Sequence, residues 1–196
     1  MTLGLTGGMG CGKSTALRFF AERGWRTLDS DAIVRDEVLR EPAVAAAIGA
    51  RFLGVLDPAG VVRRDVLAAR VFDGNGGAEL DWLEALVLPR VLTRWQMALA
   101  AEPAASWAVE APLLFEKNLE KGFDFTVCVV ASSPSQLARL AGRGLSPTLA
   151  GQRILRQLPL AKKTELADVV LSNDGTPEAL RRQVALLVAR LGFDCR

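Results

Sequence analysis

A chain of 196 residues that is 50% apolar, with 24 basic against 22 acidic side chains, can bury a substantial core and is close to electrically neutral. That excludes disorder and removes any global electrostatic reason to expect nucleic acid or an anionic membrane as partner. No basic leader runs into a long apolar stretch, so a cytoplasmic protein without signal segment or membrane span is expected.

A short apolar strand is predicted over residues 2–6. Directly after it stands Gly7-Gly8-Met9-Gly10-Cys11-Gly12-Lys13-Ser14-Thr15, a complete G-x-x-x-x-G-K-[ST] phosphate-binding loop that opens a helix predicted over 13–23 and stopped by Gly24. Its glycines let successive backbone N–H groups turn inward around phosphate oxygens, and the helix N-terminus adds favourable partial charge. In such a loop Lys13 reaches the β- and γ-phosphates and the Ser14 hydroxyl ligates magnesium. The chain therefore reads as a user of nucleoside triphosphates. Cys11, at the same helix N-terminus, is expected to have a lowered thiol pKa and to be alkylatable unless ATP covers it.

A second strand over 25–28 ends at Asp29-Ser30-Asp31 and completes a βαβ start. More than seventy residues separate it from the next strand, many times what a crossover needs, so an insertion is expected there. Its patterns are helical over 32–39, 42–52, 65–72 and 80–99. They are broken by Pro89, by the turn Asp57-Pro58-Ala59-Gly60 and by Asp73-Gly74-Asn75-Gly76-Gly77. An insertion leaving the C-terminal end of a strand is well placed to hold an acceptor substrate, with a passive helical cover as the alternative. Strands over 107–109, 125–130 and 169–171 bring the total to five and predict a doubly wound α/β fold with a parallel sheet. Ser133-Pro134, Ser146-Pro147 and Thr176-Pro177 each set a capping hydroxyl before a helix-opening proline, while Gly144 and Gly192 mark two helix ends.

Histidine is absent, which removes imidazole bases, Ser-His and Cys-His nucleophile pairs and nearly all catalytic zinc arrangements, so a carboxylate is the expected general base. Cys11, Cys128 and Cys195 are far apart, show no metal spacing and suit a reducing compartment; Cys128 reads as core. Asp31 is the candidate to orient an acceptor hydroxyl and take its proton, or else a helix cap; Asp29 serves the metal's water shell or caps the following helix. Glu110 ends the strand at 107–109 and suits a magnesium water, as a Walker-B carboxylate does, whereas Glu116 can equally face solvent. From residue 125 to 164 there is no acid, but Arg139, Arg143, Arg153, Arg156, Lys162 and Lys163 occur. A basic lid over polyphosphate is preferred there to a positive surface face or to a nucleic-acid patch, which would want interleaved aromatics.

Three stretches together resemble the dephospho-coenzyme A kinase family: Leu5-Thr6 with the phosphate loop, Asp29-Ser30-Asp31-Ala32-Ile33-Val34-Arg35, and Pro112-Leu113-Leu114-Phe115-Glu116. The likeness continues through Gln136 and Arg139, Gln157-Leu158-Pro159-Leu160 with Lys163, Ala167-Asp168 and Asn173-Asp174-Gly175, in the family's order and spacing. It implies transfer of the ATP γ-phosphoryl group to the ribose 3′-hydroxyl of dephospho-CoA, giving CoA and ADP, at the last step of CoA biosynthesis. It also implies a P-loop core over residues 1–31 and 102–196, a lid at about 139–163 and an inserted helical CoA-binding domain over 32–101. Carried onto matching positions, Gly8, Gly10, Cys11, Gly12, Lys13, Ser14 and Thr15 bind ATP, with Asn173 near the adenine. Lys13 and Arg139 stabilise the transferring phosphoryl and Asp31 is the base. Arg64, Pro112 and Leu113 join Asp31 at the acceptor, and Ser14 and Glu110 serve Mg2+. Dephospho-CoA and ATP are the expected partners, and a monomer is expected. The chain departs from the family's pattern at Cys11 (serine is common), Leu88 (histidine), Glu110 (aspartate) and Thr164 (arginine).

Other readings share some of these features. A nucleoside-monophosphate or other small-molecule kinase would have the same loop and parallel core. A GTP-dependent switch lacks its guanine-reading motif here, and a binding-only module would not need Lys13, Asp31 and Arg139 together.

Overall fold

The computed structural model describes residues 1–72 and 77–192. Its centre is a five-stranded, all-parallel sheet in the order β2-β3-β1-β4-β5, formed by β1 (Thr2–Gly7), β2 (Arg26–Asp29), β3 (Trp107–Glu110), β4 (Phe125–Val130) and β5 (Val169–Ser172). The register sets Glu110 beside both Leu5 and Asp29, and Gly7 beside Val129, so the C-terminal ends of β1, β2, β3 and β4 finish on one edge. Ligands of open α/β sheets bind at that edge. Four strands match the predicted ones to within a residue at each end, and β4 matches at both.

Two helices pack together on the sheet: α1 (Lys13–Ala21) and α9 (Pro177–Arg190). Leu3, Leu5, Val127, Val129 and Leu171 from the strands meet Ala16, Leu17 and Phe20 of α1 and Leu180, Val184 and Val188 of α9, all buried. Each large apolar side chain so buried contributes about 1.5–3 kcal/mol relative to exposure. Phe19 lies between the guanidinium groups of Arg18 and Arg181, 5.3 and 5.0 Å from its ring, and both arginines also reach Glu22. α1 ends two residues before the predicted limit, and the chain leaves it through Gly24 at φ 82°. At the edge of the sheet, the Gln183 amide takes up both the N–H and the carbonyl of Ser172, at 2.9 and 2.8 Å, closing that end of β5 to further strand pairing.

The remaining helices of this part are α6 (Ser133–Ala141), α7 (Pro147–Leu155) and α8 (Leu160–Leu166). Ser146 and Thr176 cap α7 and α9 as expected. α6 is different: Ser132, not Ser133, accepts from the Ser135 N–H, so the proline stands one position deeper in the first turn.

The chain divides into two compact units, one of Met1–Asp29 with everything from Ala104 onward, the other Ser30–Pro103. The second unit is helical, with α2 (Ser30–Asp36), a 3-10 turn (Val38–Arg40), α3 (Pro42–Arg51), α4 (Arg64–Phe72) and α5 (Gly77–Ala101). Val38, Val44, Ile48, Val55, Leu67, Val71, Val91 and Trp95 are among its buried side chains. Asp57 shapes the expected turn by accepting from the Ala59 and Val61 N–H groups at 2.9 and 2.8 Å, beside the isolated Leu56 to Val62 bridge. The expected break at Pro89 does not occur. α5 runs through it as one helix, although proline removes one backbone bond. Arg90 donates to the Leu86 carbonyl at 2.6 Å, and Arg90 and Arg94 hold Glu41 and Glu37 at 2.8–3.1 Å, so side-chain bonds anchor the turn beside the missing one. Of the expected turn at 73–77, residues 73–76 lie outside the described residues, as does Cys195, while Gly77 begins α5. Among the described residues no helix is long and apolar enough to cross a membrane.

Candidate active site

The loop between β1 and α1 is shaped by glycine. Gly7 has φ 144°, and a Cβ there would collide with the Val129 carbonyl of the neighbouring strand. Gly12 has φ 95°, and a Cβ would overlap the Asn173 amide nitrogen. Only glycine combines these torsions with so close an approach. Gly12 also stands at the N-cap of α1, where no side chain supplies a capping bond, so the helix's first N–H groups and its positive dipole end face the loop. Lys13 is buried, its Nζ 3.4 and 3.3 Å from the carbonyls of Gly7 and Gly8 and 3.9 Å from Oε1 of Glu110. Glu110, the last residue of β3, is itself buried. The site thus sets one cation and one carboxylate against a cradle of backbone donors, an arrangement suited to phosphate and to a metal bound to phosphate. Ser14 is exposed and Thr15 half-buried in the first turn of α1.

Side chains distant in sequence hold the loop from its carbonyl side. The guanidinium of Arg139, on α6, donates to the carbonyls of Gly10 at 3.2 Å, Cys11 at 3.5 Å and Asn173 at 2.6 Å. Asn173, buried just after β5, donates its amide to the Cys11 carbonyl at 2.8 Å. Asp174 joins the next layer, its carboxylate accepting from the Ser132 N–H at 2.9 Å and hydroxyl at 2.8 Å, which holds its pKa below the ordinary aspartate value. The arginine's charge is therefore set against the outside of the loop, and acting on a transferring phosphoryl would require it to leave those carbonyls.

The expectation for Cys11 is overturned. Its side chain is fully buried in the core, and burial pushes the thiol pKa up, outweighing the backbone donors and the Lys13 charge that pull it down. The helix N-terminus is a weaker influence than desolvation because the sulfur points inward. Cys128 is likewise buried, its pKa raised to about 11 by burial.

The basic stretch does not form one face. Lys163 is fully buried and paired with Glu116 at 2.8 Å; Lys162 meets Glu165 at 2.7 Å; Arg139 is committed to the loop. Arg143 and Arg156 are exposed, and Arg153 is half-buried. Glu116, read as equally able to face solvent, is largely buried. What pointed to the Lys163 partner was the lack of any acid in its own stretch; the partner lies 47 residues away in the chain, beyond local pattern reading. The Pro112 carbonyl accepts from Lys163 Nζ at 2.7 Å and from Thr6 Oγ1 at 3.4 Å, and Leu113 is half-buried in the same turn. Within the first unit, then, the structure brings Gly8 to Thr15, Glu110, Arg139, Asn173 and Pro112 to one region. Asp31 stands exposed in the first turn of α2, and Arg64 opens α4, also exposed; both belong to the second unit.

The family model described as dephospho-CoA kinase matches residues 1–178. The chain belongs to the dephospho-CoA kinase family. A dephospho-CoA kinase of Deinococcus radiodurans is 40% identical over 193 residues, covering 96% of this chain and 91% of that protein. One from Thermosynechococcus vestitus is 38% identical over 196 residues, covering 98% and 95%. Among solved structures, a Thermus thermophilus protein of 31% identity superposes with a TM-score of 0.80 over 97% of both chains. The dephospho-CoA kinase of Campylobacter jejuni, at 21% identity, shares the fold with a TM-score of 0.69, covering 97% of this chain and 96% of that one. The activity that goes with the family is phosphorylation of dephospho-CoA, the final step of coenzyme A biosynthesis, and the kinase uses ATP.

Proposed function

We propose that the kinase transfers the γ-phosphoryl group of ATP to the ribose 3′-hydroxyl of dephospho-CoA through the loop of Gly8 to Thr15, with residue roles as follows. The observation that carries this is Lys13 held over the glycine loop, 3.9 Å from the buried Glu110 carboxylate. Lys13 neutralises β- and γ-phosphate charge, and the backbone N–H groups of the loop and of the first turn of α1 orient the polyphosphate. Ser14 and Glu110 are the oxygen donors that fit magnesium, which takes few protein ligands and keeps phosphate oxygens and water for the rest of its shell. When bound, magnesium supplies charge neutralisation on the phosphates.

Asp31 orients the acceptor hydroxyl and takes its proton, Arg64, Pro112 and Leu113 hold the acceptor, and Asn173 lies at the adenine. The α7 region, with Arg153 and Arg156, closes as a lid over the phosphates, and Arg139 exchanges loop carbonyls for phosphate oxygens as it does so. The unit of Ser30–Pro103 binds the CoA moiety. The kinase works as a cytoplasmic monomer, for which the free, buried thiols of Cys11 and Cys128 support a reducing compartment.

The test is ADP release by the purified protein with magnesium and ATP, run with dephospho-CoA, AMP, CMP or no acceptor, and with CoA identified by mass. Stoichiometric ADP and CoA with dephospho-CoA alone is the expected result. Turnover only with a nucleoside monophosphate, or only without acceptor, would refute the substrate assignment.

A further inference from the structure

The segment that follows α7 is fastened by three side chains, one of which reaches the phosphate loop. Gln157 places its Oε1 3.1 Å from the backbone N of Met9, accepting a hydrogen bond from the loop's own main chain. The next residue, Leu158, donates its N–H to Oε1 of Glu116 at 2.9 Å. Lys163, in the last turn of α8, donates to the same carboxylate at 2.8 Å and to the Pro112 carbonyl at 2.7 Å. Lys163 is fully buried, and Oε2 of Glu116 is buried without a hydrogen-bond partner among the described residues. Burying that charge and leaving that oxygen unmatched are both unfavourable, and the pairing of the two side chains, with the Pro112 carbonyl and the Leu158 N–H, offsets their desolvation. Such a pair holds one geometry because removing either partner strands the other.

We propose that Glu116 is a positioning residue for phosphoryl transfer: by gripping Leu158 and Lys163 it presents Gln157 to the Met9 N–H and so fixes the entry turn of the phosphate loop. Neither Glu116 nor Lys163 reaches the reacting atoms in this role. Gln157 is the sole link of the three that touches the loop, and Glu116 acts through it. The chain from 157 to 163 thereby couples the end of α7 to the turn between β1 and α1, and a change in one is felt as a shift of backbone donors in the other. The proposal rests on the ATP site assigned above but not on the identity of the acceptor.

Methionine labelling gives a direct readout. The chain has three methionines, Met1, Met9 and Met97, so protein labelled with 15N-methionine, its signals assigned by Met→Leu variants, yields an amide signal from Met9 at the clasp and one from Met97 in α5 as control. Gln157→Ala is expected to shift the Met9 amide upfield as its hydrogen bond is lost. Glu116→Ala is expected to produce a shift in the same direction, and both raise the ATP dissociation constant and the KM for ATP about tenfold, the loss of one well-placed hydrogen bond. The Met97 signal and the KM for dephospho-CoA stay unchanged. The double variant Glu116→Gln, Lys163→Met keeps an acceptor for Leu158 while removing both buried charges, and is expected to restore the Met9 signal and the ATP affinity. Should Glu116→Ala prove too unstable, Glu116→Leu, Lys163→Met carries the test: it removes both buried charges and the acceptor for Leu158, and is expected to shift the Met9 amide as Gln157→Ala does. A Met9 signal and ATP affinity unchanged in Gln157→Ala, in Glu116→Ala or in Glu116→Leu, Lys163→Met, or lost in Glu116→Gln, Lys163→Met, would overturn the proposal. Absence of dephospho-CoA turnover in the wild-type protein would instead reject the acceptor while leaving the Met9 and ATP measurements to decide this question.

Discussion

The cradle of the phosphate loop and its outer carbonyl side are built by different parts of the chain. The cradle is local: Gly7 to Ser14 supply torsions, backbone donors and the lysine within eight consecutive residues. The outer side is assembled from residues 128 to 162 positions away, with Arg139 and Asn173 holding the Gly10 and Cys11 carbonyls. The chemistry of phosphate binding can therefore be written as a short motif, whereas the exactness of its placement depends on side chains that only the folded sheet brings near. Binding groups act at full strength only when so held.

That contrast can be broken from either side. Lys13→Ala removes the cation held over the glycine loop and is expected to lower kcat/KM about a thousandfold, with weaker ATP binding, in steady-state kinetics and nucleotide titration. Asp31→Asn tests chemistry outside the loop: turnover falls on the order of a hundredfold while the ATP dissociation constant is kept, since proton acceptance is lost and no phosphate contact is. Near-normal turnover in that variant removes Asp31 from the role of base. Gly12→Ala strikes where the two sides meet, because the new Cβ is driven into Asn173 at a backbone angle that disfavours it. A stability loss of about 1–3 kcal/mol by denaturant titration, with weaker ATP binding, is expected.

Asn173→Ala removes the amide that holds the Cys11 carbonyl, together with the contact assigned to it at the adenine, and should weaken ATP binding by about tenfold, leaving the KM for dephospho-CoA in place. The smallest effect is one of pH. Because the folded protein holds the Asp174 pKa below its unfolded value, the folded state favours the carboxylate. Its contribution to stability is complete above the ordinary aspartate range and is lost as pH falls through the folded value. Thermal unfolding from neutral to strongly acidic pH should show a shallower acid-side loss for Asp174→Asn than for the wild-type chain, and identical slopes would show that the fold does not hold the Asp174 pKa below its ordinary value.

Much of the fold was legible because its signals are local. Short apolar strands, the glycine-stopped α1 and the Ser146 and Thr176 caps depend on neighbours in the chain, and β4 could be delimited to the residue. Three features were not legible in this way. Pro89 lies within a continuous α5 because Arg90 and Arg94 anchor the helix to Glu37 and Glu41, an arrangement that propensity does not contain. Cys11 has its thiol pKa raised because its side chain turns into the core, although the helix N-terminus alone argues for the opposite. Ser132 displaced Ser133 as a cap through a choice between adjacent hydroxyls that backbone geometry makes.

By itself the sequence determined the parallel α/β core, the helical insertion, the phosphate loop with Lys13 and Ser14, and membership of a kinase family, since each rests on spacing along the chain. Tertiary structure alone decided that Arg139 and Asn173 face loop carbonyls, that Lys163 is buried against Glu116, and that Gln157 meets Met9. The physical reason is separation. A hydrogen bond or buried ion pair between residues tens of positions apart depends on strand order and helix packing, and desolvation, which sets both its strength and the pKa of its members, exists only once the core has closed around it.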